Sequence, residues 1–232
     1  MIYVMSDIHG AYDKYKRMLD KIDFKEEDTL YILGDVIDRG EDGIKILFDM
    51  MMRDNVFPFL GNHEYMAYGA LKSLSTEITE EIIDTDVKNI LELYEAWMEN
   101  GGASTLKKFR ELSLDERESV FDYIEEFAGV EEIKVNGKSF VLVHGTLENF
   151  SPERPFDDYS VNEIVWGRCD YDRVYFPDKY LVTGHTPTAL IAPGYRGKIY
   201  KKNNHIAIDC GVHFTGVLGC ICLDTSEEFY VE

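Results

Sequence analysis

Five short polar motifs carry the residue types that metal-assisted chemistry needs. They are Asp7-Ile8-His9, Gly34-Asp35-Val36-Ile37-Asp38-Arg39-Gly40, Gly61-Asn62-His63-Glu64, Val143-His144-Gly145 and Gly184-His185-Thr186-Pro187. Six of their side chains can bind metal: Asp7, His9, Asp35, Asn62, His144 and His185. A mixed oxygen and nitrogen set without thiolate suits borderline to hard divalent ions, Mn first, with Fe, Zn, Co or Ni as alternatives. Asp35 has two oxygens and can be shared between two ions. Two such ions turn a bridging water into hydroxide near neutral pH and hold phosphoryl oxygens in line. Arg39 and Arg168 offer guanidinium forks that match phosphate. His63, held charged and oriented by Asp38, can protonate a leaving oxygen. The set predicts phosphoester hydrolysis by attack of a dimetal-bound hydroxide.

Each motif alone carries little. An Asp-x-His triplet recurs by coincidence, and Gly-His-Thr-Pro is by itself a turn. Five motifs in order, each after an apolar run, do not arise that way. His205 and His213 lie outside the motifs and read as structural or solvated.

The elements that must position these residues follow from apolar periodicity. Ile2–Met5, Thr29–Leu33 and Val56–Leu60 read as strands. Tyr15, Met18, Leu19 and Ile22, then Ile44, Leu47, Phe48 and Met51, have helical spacing. The first 60 residues thus read β-α-β-α-β, which implies a parallel sheet with ligand groups at the carboxyl ends of its strands. Residues 64–128 look mostly helical, punctuated by Asn100-Gly101-Gly102. From Val130 the period becomes two, and Asn136-Gly137 marks a hairpin between Glu132–Val135 and Ser139–Val143. Tyr180–Thr183, His205–Asp209, Val217–Leu223 and Phe229–Val231 read as later strands. Without repeats or a Pro/Gly-rich linker, residues 1–232 read as one catalytic domain, with a mostly helical segment at about 73–128.

Composition narrows the class. The chain has 232 residues, 45% hydrophobic and 29% charged, and a net charge of −20. Such acidity opposes nucleic-acid partners, which need a basic face, and anionic membrane surfaces. No apolar run approaches the ~20 residues of a membrane span. The first residues lack the basic start of a signal peptide, so a cytoplasmic location is expected. Cys169, Cys210, Cys220 and Cys222 show no CxxC pairing and read as reduced, buried thiols, Cys220 and Cys222 sharing one face of a strand. Oligomeric state stays open.

The pattern resembles the phosphoprotein phosphatase branch of the calcineurin-like metallophosphoesterases, in its phage lambda protein phosphatase-like bacterial form. The resemblance runs from Tyr3 to about Gly219. It rests on Ser6–Gly10, Gly34–Gly40, Gly61–Glu64, His144, Gly184–Pro187, Ile206–Gly211, Asn100–Gly102 and Val165–Arg168. It implies an α/β fold, a four-layer α/β/β/α sandwich of two mixed sheets flanked by helices. It implies that Asp7, His9 and Asp35 hold one metal, that Asp35, Asn62, His144 and His185 hold the second, and that Arg39 and Arg168 grip phosphate beside the His63–Asp38 acid pair. The run Gly145-Thr146-Leu147-Glu148 departs from the small residues that the family has after its histidine.

The substrate this implies is phosphoserine or phosphothreonine in proteins. The alternative is a small phosphorylated substrate, above all a symmetrical bis(5'-nucleosyl)-tetraphosphate, since relatives with the same motifs hydrolyse these. An adenine-stacking aromatic near the site would favour the latter, and Tyr65, Tyr68, Phe150 and Tyr171 are candidates. A catalytically dead binding module predicts a missing ligand, and none is missing. A DNA nuclease conflicts with the acidic balance.

Overall fold

The structure, a computed structural model, describes residues 1–75 and 86–232. In chain order the strands are β1 (Ile2–Met5), β2 (Thr29–Ile32), β3 (Val56–Pro58), β4 (Val130–Val135), β5 (Lys138–Val143), β6 (Lys179–Thr183), β7 (Tyr200–Lys202), β8 (His205–Ala207), β9 (Leu218–Cys222) and β10 (Glu228–Val231). The helices are α1 (Tyr12–Lys21), α2 (Gly43–Met51), α3 (Asn62–Ser75), α4 (Asp86–Glu99), α5 (Ala103–Glu111), α6 (Leu114–Glu125), α7 (Val161–Val165), α8 (Thr188–Ile191) and α9 (Val212–Thr215). Four of these, α3 to α6, fall in the segment expected to be helical; its residues 76–85 lie outside the described residues.

The strands form two five-stranded sheets, ordered β10-β9-β1-β2-β3 and β4-β5-β6-β8-β7. Strands β1, β2 and β3 are parallel, as their alternation with helices requires, while β9 returns antiparallel beside β1. In the second sheet β5, β6 and β8 are parallel, and β4 and β7 pair antiparallel at its two edges. Both sheets are therefore mixed. Strand β7, only three residues long, is too short to show a period and is absent from the sequence reading. The β4–β5 turn is where Asn136-Gly137 predicted it, with φ of 49° and 79°, the left-handed pair that a two-residue hairpin needs.

Alternation along the strands sorts the core into layers. Tyr3 and Met5 face α1 and α2, and Val4 between them faces the second sheet. Phe140 and Leu142 face inward against the first sheet, while Val141 and Val143 face the α7 side. Cys220 and Cys222 share the helix-facing side of β9, and all four cysteines are free and buried. The result is the expected sandwich of two mixed sheets with helices outside. Among the described residues no helix is long and apolar enough to cross a membrane.

The layers bury His205 almost completely, with Nε2 2.8 Å from Thr183 Oγ1, Nδ1 unpartnered and the Tyr171 ring stacked 4.9 Å away. Burial lowers its pKa to about 4. Unfolded, this imidazole titrates near its usual ~6.5, so between those values the unfolded chain binds a proton that the folded chain refuses. Stability should therefore fall as pH drops from ~6.5 to ~4, by about 3 kcal/mol from this residue. Urea midpoints of metal-free protein at pH 7 and pH 4.5 test this. His205→Gln should shrink the pH dependence, and an unchanged dependence would reject the assignment.

Candidate active site

Three parallel strands of each sheet end beside the same group of residues. Asp7 and His9 follow β1, Asp35 to Arg39 follow β2, and Asn62 and His63 follow β3. From the second sheet His144 follows β5, His185 follows β6, and Asp209 follows β8. The β1 and β2 loops are laced together: Asp7 N donates to Gly34 O (3.0 Å), His9 N to Asp35 O (2.9 Å) and Gly10 N to Val36 O (2.8 Å). Asp7, His9, Asp35, Asp38, Arg39 and His185 all have left-handed backbone, φ 45° to 66°. That region disfavours residues with a Cβ, and its clustering here marks a site held in shape by its surroundings. Gly184 permits the two sheets' loops to meet, since a Cβ there would lie 2.5 Å from Asp7 Oδ2.

Glu64 is the main support. Fully buried, its carboxylate accepts from Asp35 N (2.8 Å), Val36 N (2.8 Å), Ile37 N (3.1 Å) and Gly61 N (3.2 Å). It fixes the β2 and β3 loops to each other, a role that the sequence reading did not give it.

Asp35 sits at the centre. Its Oδ2 lies 3.8 Å from His9 Nε2 and 3.9 Å from His63 Nε2, and its Oδ1 lies 3.4 Å from His144 Nε2. Two groups of metal-capable atoms result, His9–Asp35–His63 and Asp35–His144–His185. Asn62 Oδ1 joins the second, 3.1 Å from His144 Nε2 and 2.9 Å from His185 Nδ1. Burial alone would raise the Asp35 pKa, but His144, His63, His9 and His185 together hold it below the usual carboxylate range.

The donor chemistry fits divalent cations. His144 Nδ1 donates to Leu33 O (2.6 Å), which leaves its Nε2 facing Asn62 Oδ1 and Asp35 Oδ1. His185 Nε2 donates to Trp166 O (3.2 Å), and its Nδ1 lone pair also meets Asn62 Oδ1. Acceptors converge on acceptors, an arrangement that a cation reconciles. Burial lowers the pKa of His9 to about 3 and of His185 to about 4, which keeps both in the neutral, ligating form. Asp7, Asp35 and Asp209 are all buried, and burial with mutual repulsion raises Asp7 well above its usual pKa and Asp209 to about 7. Positive charge between them would relieve that repulsion.

Asp7 is placed beside these groups rather than in them. Its Oδ2 accepts from Ser6 Oγ and from His185 N (3.0 Å). His63 has a double setting. Its Nδ1 donates to Asp38 Oδ2 (2.8 Å), and its Nε2 lies 3.2 Å from Arg39 Nη2. Burial opposes the charged form, but Asp35 and then Asp38 outweigh it and raise the His63 pKa. Arg39 Nη1 also donates to His9 Nε2 (2.9 Å). Arg168 is exposed, close enough for its charge to help depress His185. Of the other histidines, His205 is structural and His213 exposed.

The helical segment supplies two residues that sequence reasoning passed over. Trp97 Nε1 donates to Asp38 Oδ2 (2.8 Å), and Asp38 N donates to Thr105 Oγ1 (3.0 Å). Asn100-Gly101-Gly102 was the available signal: Gly101 O accepts from Arg39 N (3.0 Å), and Gly102 lies against the Trp97 indole.

A family model described as calcineurin-like phosphoesterase matches residues 1–210. The chain belongs to that family. As a calcineurin-like phosphoesterase it is a metal-dependent enzyme, and its two ligand groups agree with a divalent metal requirement. Among curated relatives it is 38% identical over 96 residues to the symmetrical bis(5'-nucleosyl)-tetraphosphatase of Wigglesworthia glossinidia brevipalpis, covering 38% of this chain and 35% of that protein. It is 35% identical over 89 residues to the protein of the same name from Delftia acidovorans, covering 36% and 32%. These matches span about a third of the relatives' length. A solved structure provisionally named a diadenosine tetraphosphatase superposes with a TM-score of 0.68 at 17% identity, over 99% of this chain and 92% of that one, a likeness of fold. These relatives overturn the expectation of phosphoserine and phosphothreonine in proteins as the substrate. The expectation rested on the motifs alone, which the sequence reading already took as common to both kinds of enzyme.

Proposed function

We propose that this phosphoesterase hydrolyses symmetrical dinucleoside tetraphosphates, breaking the central phosphoanhydride with one water to give two nucleoside diphosphates. The observation that carries the reading is the sharing of Asp35 between two histidine groups, in a chain whose curated relatives are tetraphosphatases. Asp7, His9, Asp35, Asn62, His144 and His185 would hold the metals. When bound, divalent ions supply Lewis acidity toward phosphoryl oxygens and lower the pKa of water. Arg39 and Arg168 orient the phosphates and balance the charge that develops on them. His63, poised by Asp38, delivers a proton to the departing oxygen from Nε2. Residues 1–232 act as one catalytic unit, because Trp97 and Thr105 of the helical segment hold Asp38.

The test is turnover of diadenosine tetraphosphate by metal-loaded protein, beside a phosphopeptide panel. ADP should be the only nucleotide product. Formation of AMP and ATP, or faster turnover of the phosphopeptides, would reject symmetrical cleavage. Arg39→Ala should lower kcat by ~10²–10³, the usual cost of one preorganised donor. Its metal content should match wild type, and a fall in metal content would make Arg39 a support for His9 instead.

A further inference from the structure

The tetraphosphate reading leaves the two nucleobases without a place. The four aromatics singled out in the sequence do not offer one. Phe150 packs edge-on to Tyr175 (5.2 Å) and Phe176 (4.9 Å), and Tyr171 is covered by His205. Tyr68 lies against Phe121 with its hydroxyl on Glu125, and Tyr65 packs into the core outside β5.

Two other aromatics next to the site are exposed. Phe214 is 62% exposed and Trp166 is 40% exposed. Single exposed apolar residues are ordinary, so position decides. Arg39 Cζ lies 5.8 Å from the Phe214 ring centroid, and the same guanidinium touches His9 and His63. Phe214 is therefore one guanidinium away from one ligand group. Its backbone is pinned on α9: its N–H donates to Gly211 O (2.8 Å), and its carbonyl accepts from Arg196 Nη2 (3.2 Å). Trp166 belongs to the other group. Its carbonyl accepts from His185 Nε2 (3.2 Å), and Arg168 follows two residues later.

We infer that Phe214 and Trp166 are stacking platforms for the two bases of a dinucleoside polyphosphate, one beside each metal group. The inference rests on the substrate reading above. A two-ended ligand whose centre lies on Asp35 would meet Phe214 past Arg39 with one end and Trp166 past His185 with the other. Stacking accepts any base, because every base has a π face. Purine and pyrimidine dinucleotides should therefore both be accepted, purines more tightly.

Two measurements test this. The first is kcat/KM for diadenosine tetraphosphate relative to inorganic tetraphosphate. That ratio should be well above one in wild type. It should fall ~5- to ~150-fold in Phe214→Ala and in Trp166→Ala, mostly through KM, in line with ~1–3 kcal/mol per stacked base. Phe214→Tyr should restore it. The second is fluorescence. The chain has two tryptophans, and Trp97 is fully buried, so quenching by a small ligand reports on Trp166. AMP should quench where ribose 5-phosphate does not, and Trp166→Phe should abolish the response. A wild-type ratio near one would sink the dinucleotide substrate itself. A high wild-type ratio that survives in both alanine variants would sink only the stacking. Equal loss on both substrates in Phe214→Ala would make that ring a prop for Arg39 and overturn its part.

Discussion

Asp35→Asn protein should lose divalent metal and at least ~100-fold in phosphohydrolase turnover. Removing groups that merely orient metal ligands already costs ~10–100-fold, and Asp35 is the carboxylate common to both ligand groups. The direction of the amide is set by the backbone. Asp35 Oδ1 accepts from His63 N (3.1 Å), so the variant keeps oxygen there and puts its NH2 at the Oδ2 position. A donor then replaces the acceptor facing His9 and His63, and an ion between them loses its anionic partner. The Asn62–His144–His185 side keeps its geometry but loses the negative charge. Metal analysis after chelation and reloading should show the His9 side emptied and the other side weakened. His144→Asn should weaken the Asn62 side alone. Full occupancy of both positions in Asp35→Asn protein would remove Asp35 from the shared role.

The motifs were legible because each is a local pattern. An apolar run ends, and the polar residues come next in the chain. Asp35, His144 and His185 could be nominated that way without knowing what they face. Contacts across the fold are different. Trp97 meets Asp38 from 59 residues away and Glu64 meets Val36 from 28, and nothing local in an apolar helix or an acidic turn announces either. Periodicity gives each strand two faces but does not say which sheet it joins, so the two-sheet sandwich rested on resemblance. Exposure is also tertiary. Phe150 and Tyr171, near the motifs in sequence, pack half-buried against the core, and Phe214, in a four-residue helix, stayed outside. The substrate expectation went wrong at the same level. The motif residues are the metal-capable ones, and nothing in them says what else a phosphate-bearing substrate carries.

His63→Asn should separate substrates by the basicity of what leaves. An alkyl phosphate ester, such as glycerol phosphate, expels a strongly basic alkoxide that needs a proton as the P–O bond breaks. The central anhydride of a dinucleoside tetraphosphate expels a nucleoside diphosphate, whose oxygen is far less basic. If His63 Nε2 supplies the proton, the variant should lose ~10²–10⁴-fold on the alkyl ester, the range of general acid catalysis, and much less on the anhydride. The Nδ1–Asp38–Trp97 chain holds the imidazole, with 2.8 Å on each side of Asp38 Oδ2. Trp97→Phe removes one of the two donors on that oxygen and should show the same bias in weaker form, with a shifted pH profile for the ester. The rival role is metal binding, since His63 Nε2 lies 3.9 Å from Asp35 Oδ2 beside His9. A ligand role predicts equal loss on both substrates together with reduced metal content. Equal loss with full metal content would leave His63 as a group that positions phosphate through Arg39 and end its role as the acid.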